Sequence, residues 1–195
     1  MLIFVQSKQR ARQLCKELKF DGVNVDVIHA DKKKEERDEI IKEFRLGRIW
    51  VLICTDLMSR GIDFKTVNQV INYDFPQSLV SYIHRIGRTG RGGRKGKAIT
   101  FFTDADKDYV RTIANLMKKS GDNVPEWMLK MKQCDQKEWK KLEKVPVSRK
   151  PITTQPKAQM PKRFLKKMEK NMKQAEKIKG LYNQPGAVEE DEGSD

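Results

Sequence analysis

The first 120 residues alternate between short apolar runs and segments with the periodicity of an amphipathic helix. Continuous apolar runs of this kind are typical of strands that are buried on both faces of a sheet. The five predicted strands are residues 1–5, 23–28, 49–54, 69–73 and 97–102. Helices are predicted after Ser7, Asp31, Ser78 and Asp104, with Ser7 and Asp31 as N-caps. This alternation predicts an α/β fold with a mainly parallel sheet between helices, whose ligands bind at the edge where the strands end.

The segment from Tyr82 to Gly96 carries an arginine at every third position and a glycine two residues after each arginine. The four arginines are Arg85, Arg88, Arg91 and Arg94. Such a sequence fits either a disordered Arg-Gly tail that coats nucleic acid or a folded turn that holds phosphate. The segment lies between a predicted helix and a predicted buried strand, so the folded turn is favoured, with positive φ angles allowed at Gly87, Gly90 and Gly92. The field of a helix C-terminus attracts Arg85 and Arg88 without any ligand, but it does not account for Arg91 and Arg94.

The composition predicts an anionic partner. Lysine and arginine total 41 against 27 aspartate and glutamate residues, which gives a formal charge of +14. Such a charge favours nucleic acid or a membrane face as the partner. No apolar run approaches the roughly 20 residues of a membrane helix, so no membrane span is expected. Cys15, Cys54 and Cys134 are far apart in the sequence, and we expect isolated thiols without a metal site or disulfide framework.

The character of the chain changes near Val124. Residues 124–131 are predicted to form a short amphipathic helix that packs Trp127 onto the domain. The predicted domain therefore spans residues 1–130. Residues 131–195 are predicted to be a Lys-rich, mostly disordered tail that is acidic at its end and attracts phosphates without regard to sequence.

Three segments resemble, in order and spacing, motifs of the second RecA-like domain of DEAD-box helicases in superfamily 2. The sequence LIFVQSK resembles motif IV, CTDLMSRGID resembles motif V, and HRIGRTGR is a complete motif VI. The resemblance covers residues 1 to about 130 and implies a RecA-like three-layer sandwich. The sequences FVQS, GRIWVLICT and VINYDFPQS are most similar to the subfamily that acts in small-ribosomal-subunit assembly.

The resemblance implies roles in ATP hydrolysis for residues of motifs V and VI. By similarity Arg88 and Arg91 are arginine fingers, which stabilise the charge that develops on the transferred phosphoryl group. His84 and Arg85 would bridge to the partner domain or order the attacking water, although a packing role for His84 stays open. Asp63 would contact the ribose of ATP, with Gly61 leaving space for the backbone. A turn role for Asp63 is the alternative.

The resemblance also implies contacts with RNA phosphates. Thr55 corresponds to the motif V threonine and Arg37 to the arginine of the family's Q-x-x-R element, while Ser7 is a possible phosphate ligand besides its cap role. Two residues depart from the family pattern. Lys34 replaces the usual glutamine and can still meet a phosphate, whereas Ala30 replaces a glycine and could hinder close approach of the RNA backbone.

The sequence contains no G-x-x-x-x-G-K-[ST] loop and no Asp-Glu-Ala-Asp run. We therefore expect the C-terminal half of an ATP-dependent RNA helicase, inactive alone, whose ATP phosphates and Mg²⁺ are bound by a missing N-terminal RecA-like domain. The expected partners are that domain, pre-ribosomal RNA and a protein cofactor, in the nucleus and nucleolus or else the cytoplasm. Two alternatives are a non-catalytic basic RNA-binding module and a superfamily 2 helicase that acts on DNA.

Overall fold

A computed structural model describes residues 1–56, 67–133 and 135–153, together with Lys166, Lys170 and Lys173. The strands are β1 (Leu2–Phe4), β2 (Val25–Ile28), β3 (Val51–Cys54), β4 (Gln69–Asn72) and β5 (Lys97–Thr100). The helices are α1 (Lys8–Phe20), α2 (Lys34–Arg45), α3 (Leu79–Ile86), α4 (Lys107–Lys119), α5 (Glu126–Leu129) and α6 (Gln136–Lys144). A 3₁₀ turn, Asp104–Asp106, precedes α4. The five predicted strands are confirmed, each with slightly narrower bounds.

The five strands form one sheet in the order β2-β3-β1-β4-β5, and every pairing is parallel. Leu2 of β1 lies opposite Leu52 of β3 on one side and Val70 of β4 on the other. Because the strands are parallel, their carboxyl ends meet along one edge of the sheet, which we call the carboxyl edge. This edge brings together the residues that follow the strands.

Helices cover both faces of the sheet. On one face, Ala11, Leu14 and Cys15 of α1 pack against alternate residues of the strands. On the other face, Ile40 and Ile41 of α2 pack against the intervening strand residues. These two clusters explain why the inner strands β1 and β3 are apolar on both faces, and they confirm the predicted layered α/β architecture.

Serine side chains begin two of the helices as predicted. The Ser7 hydroxyl accepts a hydrogen bond from Arg10 N at 3.3 Å, and the Ser78 hydroxyl accepts one from Ser81 N at 3.1 Å. The prediction that Asp31 caps α2 is wrong. The N-cap residue is Lys33, and the Asp31 carboxylate instead accepts a 2.6 Å hydrogen bond from Lys8 Nζ. An ion pair with α1 thus occupies the side chain that would have capped α2.

The packed structure continues beyond residue 130, where the domain was predicted to end. Trp139 and Leu142 of α6, together with Val147, are buried in a third cluster with residues of α3 and α4. Ile152 packs against the α1 cluster. For residues 135–153 the expectation of a disordered tail is therefore corrected, because the three apolar side chains named above pack against the domain.

Helix α5 packs differently from the prediction. Met128 and Met131 contact the third cluster, whereas Trp127 is 52% exposed. The centroid of the Trp127 ring lies 6.2 Å from that of the Phe102 ring, which is also partly exposed.

Within the described parts of the chain, no helix is long and apolar enough to cross a membrane.

Candidate functional site

The first arginine of the Arg-Gly segment is buried inside its own domain. Arg85 is 1% exposed, and its guanidinium binds the Asp56 carboxylate through Nε and Nη2 at 2.6 and 2.8 Å. Its Nη1 donates to the carbonyl oxygen of Asp74 at 2.8 Å, and the group lies 5.3 Å from the centroid of the Phe4 ring. Arg85 is therefore hydrogen-bonded within its own domain, and its bridging to a partner domain or ordering of the attacking water stays a prediction.

The next two arginines lie at the surface beyond the end of α3. Arg88 is half-buried, whereas Arg91 and His84 are exposed. Arg88 Nε donates to the carbonyl oxygen of His84 at 3.1 Å, and Arg91 Nε donates to that of Gly87 at 2.6 Å. Both side chains therefore donate to carbonyl oxygens at the negative end of the helix, which holds two arginines that lie three residues apart.

The segment that carries these arginines is a folded turn between α3 and β5. Gly90 has a φ of +68°, as predicted, and a Cβ on Gly96 would lie only 2.9 Å from the Cα of Gly90. The Thr89 hydroxyl ties the turn to the carbonyl oxygen of Val67 at 2.7 Å. Gly87, where a positive φ is also allowed, is the C-cap of α3 with a φ of −65°. The close backbone approach at Gly96 explains why the turn needs glycine.

The predicted RNA contacts lie along the carboxyl edge. Ser7 follows β1, and Thr55 follows the neighbouring strand β3. Lys34 and Arg37 lie in the first turn of α2, which follows β2 on the far side of β3. Thr55 is 8% exposed, whereas Lys34 is exposed and Arg37 is half-buried. Ser7 accepts a hydrogen bond as an N-cap but keeps its hydroxyl proton, which can still be donated to a phosphate oxygen.

A polar cluster beside these residues was not predicted from the sequence. His29 is 4% exposed, and its Nε2 accepts a 3.2 Å hydrogen bond from Arg12 Nε. Burial, followed by the charge of Arg12, lowers the pKa of His29, which favours the neutral imidazole that this hydrogen bond requires. The hydrogen bond from Lys8 holds the pKa of the Asp31 carboxyl below its usual value. Lys8 and Arg12 lie one helical turn apart on α1, and this spacing was the sequence signal that both cationic side chains share one face of the helix.

Part of the predicted site lies outside the described residues. These are Gly61 and Asp63, the predicted ATP-binding residues, and Cys134 also falls there. Among the residues that the structure does describe, no group of three or more His, Cys, Asp or Glu side chains could hold a metal ion. Cys15 and Cys54 are buried in the described part of the chain as free thiols, and burial raises the pKa of each.

Comparisons with known proteins agree with this geometry. Residues 1–93 match the family model described as the helicase conserved C-terminal domain. The solved C-terminal domain of the DEAD-box protein Dbp5 is 40% identical, with a TM-score of 0.54 over 74% of this chain and 79% of that one. This chain belongs to the C-terminal domain family of DEAD-box helicases. The assignment agrees with the complete motif VI and with the parallel sheet.

Two further relatives of this DEAD-box domain are longer proteins. The probable ATP-dependent RNA helicase DDX52 of Bos taurus is 54% identical over 157 residues, which cover 80% of this chain and 26% of that protein. The structure of S. cerevisiae Dbp5 bound to RNA and ADP BeF3 is 41% identical, with a TM-score of 0.54 over 74% of this chain and 36% of that one. The chain spans about a fifth to a third of the length of these curated relatives.

Sequence reasoning missed the acidic partners of the DEAD-box arginines. Asp56 and Asp74 follow β3 and β4, and both bind Arg85, one through its carboxylate and one through its carbonyl oxygen. The Asp74 carboxylate is also bound by Arg10 through Nε and Nη2, both at 2.7 Å. An aspartate after a buried strand is a recognisable signal, but nothing local identifies the arginine that it binds.

Proposed function

We propose that this domain is the C-terminal half of an ATP-dependent RNA helicase, which couples ATP binding and hydrolysis to the remodelling of RNA duplexes. The observation that carries the proposal is that three arginines on one short segment differ in burial and in their partners. Arg85 is buried and paired with Asp56, while Arg88 and Arg91 extend from the end of the same helix. An anchored helix that presents two surface guanidinium groups suits an arginine-finger site.

The proposed mechanism requires an N-terminal domain with a phosphate-binding loop. That domain would bind ATP together with Mg²⁺, which would supply positive charge that offsets part of the charge of the phosphates. When the two domains close, Arg88 and Arg91 meet the γ-phosphate and stabilise the charge that develops as the bond to the leaving group breaks. Guanidinium groups suit this role because their planar fork can bind two phosphate oxygens at once.

We propose that RNA crosses the carboxyl edge. Ser7 and Thr55 would donate hydrogen bonds to phosphates, and Lys34 and Arg37 would contribute charge. Because these contacts go to the nucleic acid backbone, they carry affinity and orientation and no base sequence. RNA held here, while the partner domain grips the same strand, would be bent away from its complement as the domains close.

The finer assignments rest on sequence similarity. The motif sequences are most similar to helicases of small-ribosomal-subunit assembly, which supports pre-ribosomal RNA as the substrate and the nucleolus as the location. The identity to a relative named a probable ATP-dependent RNA helicase supports the activity of the full-length protein. A protein cofactor would regulate domain closure.

The test uses the full-length protein that contains this domain. RNA-stimulated ATP hydrolysis should fall by about 10³-fold or more in Arg88→Ala, because a missing arginine finger costs about 10³–10⁵ in rate. Arg94→Ala, which removes an exposed arginine of the same turn, is the matched control and should keep wild-type turnover. Unchanged turnover in Arg88→Ala would reject the finger assignment.

The formal charge of +14 favours a second candidate, a basic module that binds RNA without catalysis. This module would bind RNA with an affinity that is independent of ATP and insensitive to Arg88→Ala. A third candidate is a superfamily 2 helicase that acts on DNA. Such an enzyme should be stimulated more strongly by DNA than by RNA, so the same ATPase assay with both nucleic acids tests it.

A further inference from the structure

Residues 145–152, which we call the strap, cross the carboxyl edge between β1 and β4. Gln6, just after β1, donates from Nε2 to the carbonyl oxygen of Val147 at 3.1 Å. The backbone N–H of Ile152 donates to Gln13 Oε1 of α1 at 3.1 Å. Arg10 donates to the carbonyl oxygen of Lys150. The strap is therefore held on α1 and on the end of β1 by contacts more than 130 residues apart in sequence.

Arg149 is the central side chain of the strap. It is 10% exposed, and its Nη2 and Nη1 bind the two carboxylate oxygens of Asp106 at 2.8 and 3.2 Å. Its Nε donates to Gln6 Oε1 at 3.1 Å and lies 3.5 Å from Asp74 Oδ1. Asp106 and Asp74 are 0% and 1% exposed, so Arg149 brings positive charge to two buried carboxylates.

Asp74 connects Arg149 to motif VI. Its carboxylate lies against Arg149 and Arg10, and it also accepts the backbone N–H of Gln6 at 2.8 Å. Its carbonyl oxygen accepts Nη1 of Arg85. A continuous set of contacts therefore runs from the strap, through Asp74, to the buried arginine that anchors α3.

The strap also fills the place where an open α/β sheet has its crevice. The chain passes from β1 to β2 in one direction along the sheet, whereas β4 and β5 lie in the other direction. Loops that leave neighbouring strands in opposite directions leave a gap at the carboxyl edge. Here the side chain of Arg149 and the carbonyl group of Val147 contact Gln6 at that position.

We propose that Arg149 is a positioning residue for Arg88 and Arg91. Its contact with Asp74 holds Arg85 in place, and Arg85 in turn fixes the orientation of α3, from whose end both arginines extend. Arg149 lies outside residues 1–93, which match the helicase family model. The consequence for turnover rests on the proposed function, because the pair matters only if Arg88 and Arg91 meet a phosphate. The consequence for Arg85 does not depend on that function.

The first experiment follows Arg85 directly in the 195-residue chain. The exchange of the Arg85 Nε–H, which is hydrogen-bonded to Asp56, is measured by NMR at a temperature where the variant is folded. In Arg149→Gln we expect exchange to be faster by about tenfold, since the local opening that exposes this proton becomes easier. Arg48→Gln is the matched control, because Arg48 is 69% exposed and forms an ion pair with Glu43, away from the carboxyl edge.

The second experiment measures RNA-stimulated ATP hydrolysis by the full-length protein. Arg149→Gln should lower kcat by about tenfold with little change in KM for ATP, as expected when reacting groups are slightly misplaced. Arg149→Lys keeps the charge but loses the bidentate fork, so it should recover part of kcat. A purely structural role would lower the melting temperature without changing Arg85 exchange or kcat in the folded protein.

The outcomes separate the two proposals. Wild-type Arg85 exchange and kcat in folded Arg149→Gln would overturn the positioning role. If Arg149→Gln does not fold, the same measurements on Arg149→Lys decide, and wild-type values there overturn it. If the wild-type protein shows no RNA-stimulated hydrolysis, the proposed function fails, while the Arg85 exchange measurement still decides whether Arg149 positions that residue.

Discussion

The guanidinium of Arg85 lies fork to fork against the carboxylate of Asp56, with Nε–Oδ1 and Nη2–Oδ2 distances of 2.6 and 2.8 Å. Asp56 is the residue after Thr55, at the carboxyl end of β3, so the pair joins α3 to that edge. The pair explains how one segment can supply both an internal anchor and two surface arginines. It also predicts that the arginines of this segment differ in their effect on stability.

Replacement of Arg85 should destabilise the domain far more than replacement of a later arginine. Arg85→Ala removes one partner of a largely buried ion pair and should cost about 3–5 kcal/mol in the free energy of unfolding. Arg85→Lys keeps the charge but not the two parallel hydrogen bonds, so its cost should be smaller. Urea denaturation of the chain measures both. Arg94→Ala, at an exposed position, should change the free energy by less than about 0.5 kcal/mol. Equal costs at the two positions would contradict the anchor role.

Two serines with the same cap geometry allow stability to be separated from RNA binding. Ser7 and Ser78 each accept a backbone hydrogen bond in the first turn of a helix, so either Ser→Ala variant should lose about 1 kcal/mol of stability. Only Ser7→Ala should weaken RNA binding, by roughly fivefold, the equivalent of one hydrogen bond of about 1 kcal/mol. Fluorescence anisotropy with a single-stranded RNA measures the affinity. If both variants weaken binding equally, the Ser7 effect arises from stability and not from a phosphate contact.

The sheet could be predicted because the inner strands are buried on both faces. Five apolar runs separated by amphipathic helices leave few arrangements other than a parallel sheet, and the helix starts at Ser7 and Ser78 are local signals. The fate of Arg85 was also encoded locally. It lies three residues after the buried Tyr82, on the same face of α3, so helical periodicity already placed it inside.

The packing of α6 and of the strap could not be predicted from local patterns. Trp139, Leu142 and Val147 are separated by lysines, and the segment therefore has the composition of a solvated tail. Their burial depends on a surface built by α3 and α4. Likewise, the ion pair between Arg149 and Asp106 joins residues 43 positions apart, and no periodicity reports such a contact. Long-range pairing of charges is thus the part of the site that required the structure.

The buried imidazole of His29 predicts that the domain loses stability in mild acid. Its pKa is lowered in the folded protein by burial, then by Arg12, and less by Lys32 and Lys8, whereas the charge of Asp31 acts in the opposite direction. Between this lowered value and the unfolded value of about 6.5, the unfolded chain binds more protons, so stability falls as the pH drops through that window. Above the unfolded pKa, the protonation of His29 no longer changes the stability of the domain.

The test compares the free energy of unfolding at pH 7 and pH 5. His29→Gln places an amide oxygen where Nε2 accepts from Arg12, and it should lose less stability over this range than the wild type. The Asp31 carboxyl, whose pKa is lowered from 3.8, loses its contribution at a lower pH and does not confuse the comparison. His84→Gln, at an exposed site, is the control. A pH dependence in His29→Gln equal to that of the wild type would exclude this origin.

Two tryptophans, Trp139 in α6 and Trp50 at the surface, report whether α6 is part of the folded domain. Trp139 is 9% exposed, its ring meets that of Tyr109 edge to face at 5.0 Å, and its Nε1 donates to the Thr112 hydroxyl at 3.4 Å. Trp139→Ala should cost about 3–5 kcal/mol, because it leaves a cavity in the third cluster. Trp50→Ala, at a position that is 63% exposed, should cost about 0.5 kcal/mol or less. Urea denaturation followed by circular dichroism measures both variants, and a chain ending at residue 130 should lose at least as much stability as Trp139→Ala. Equal, small costs for the two tryptophans would mean that α6 does not pack on the domain in solution, and the strap would then have no fixed start.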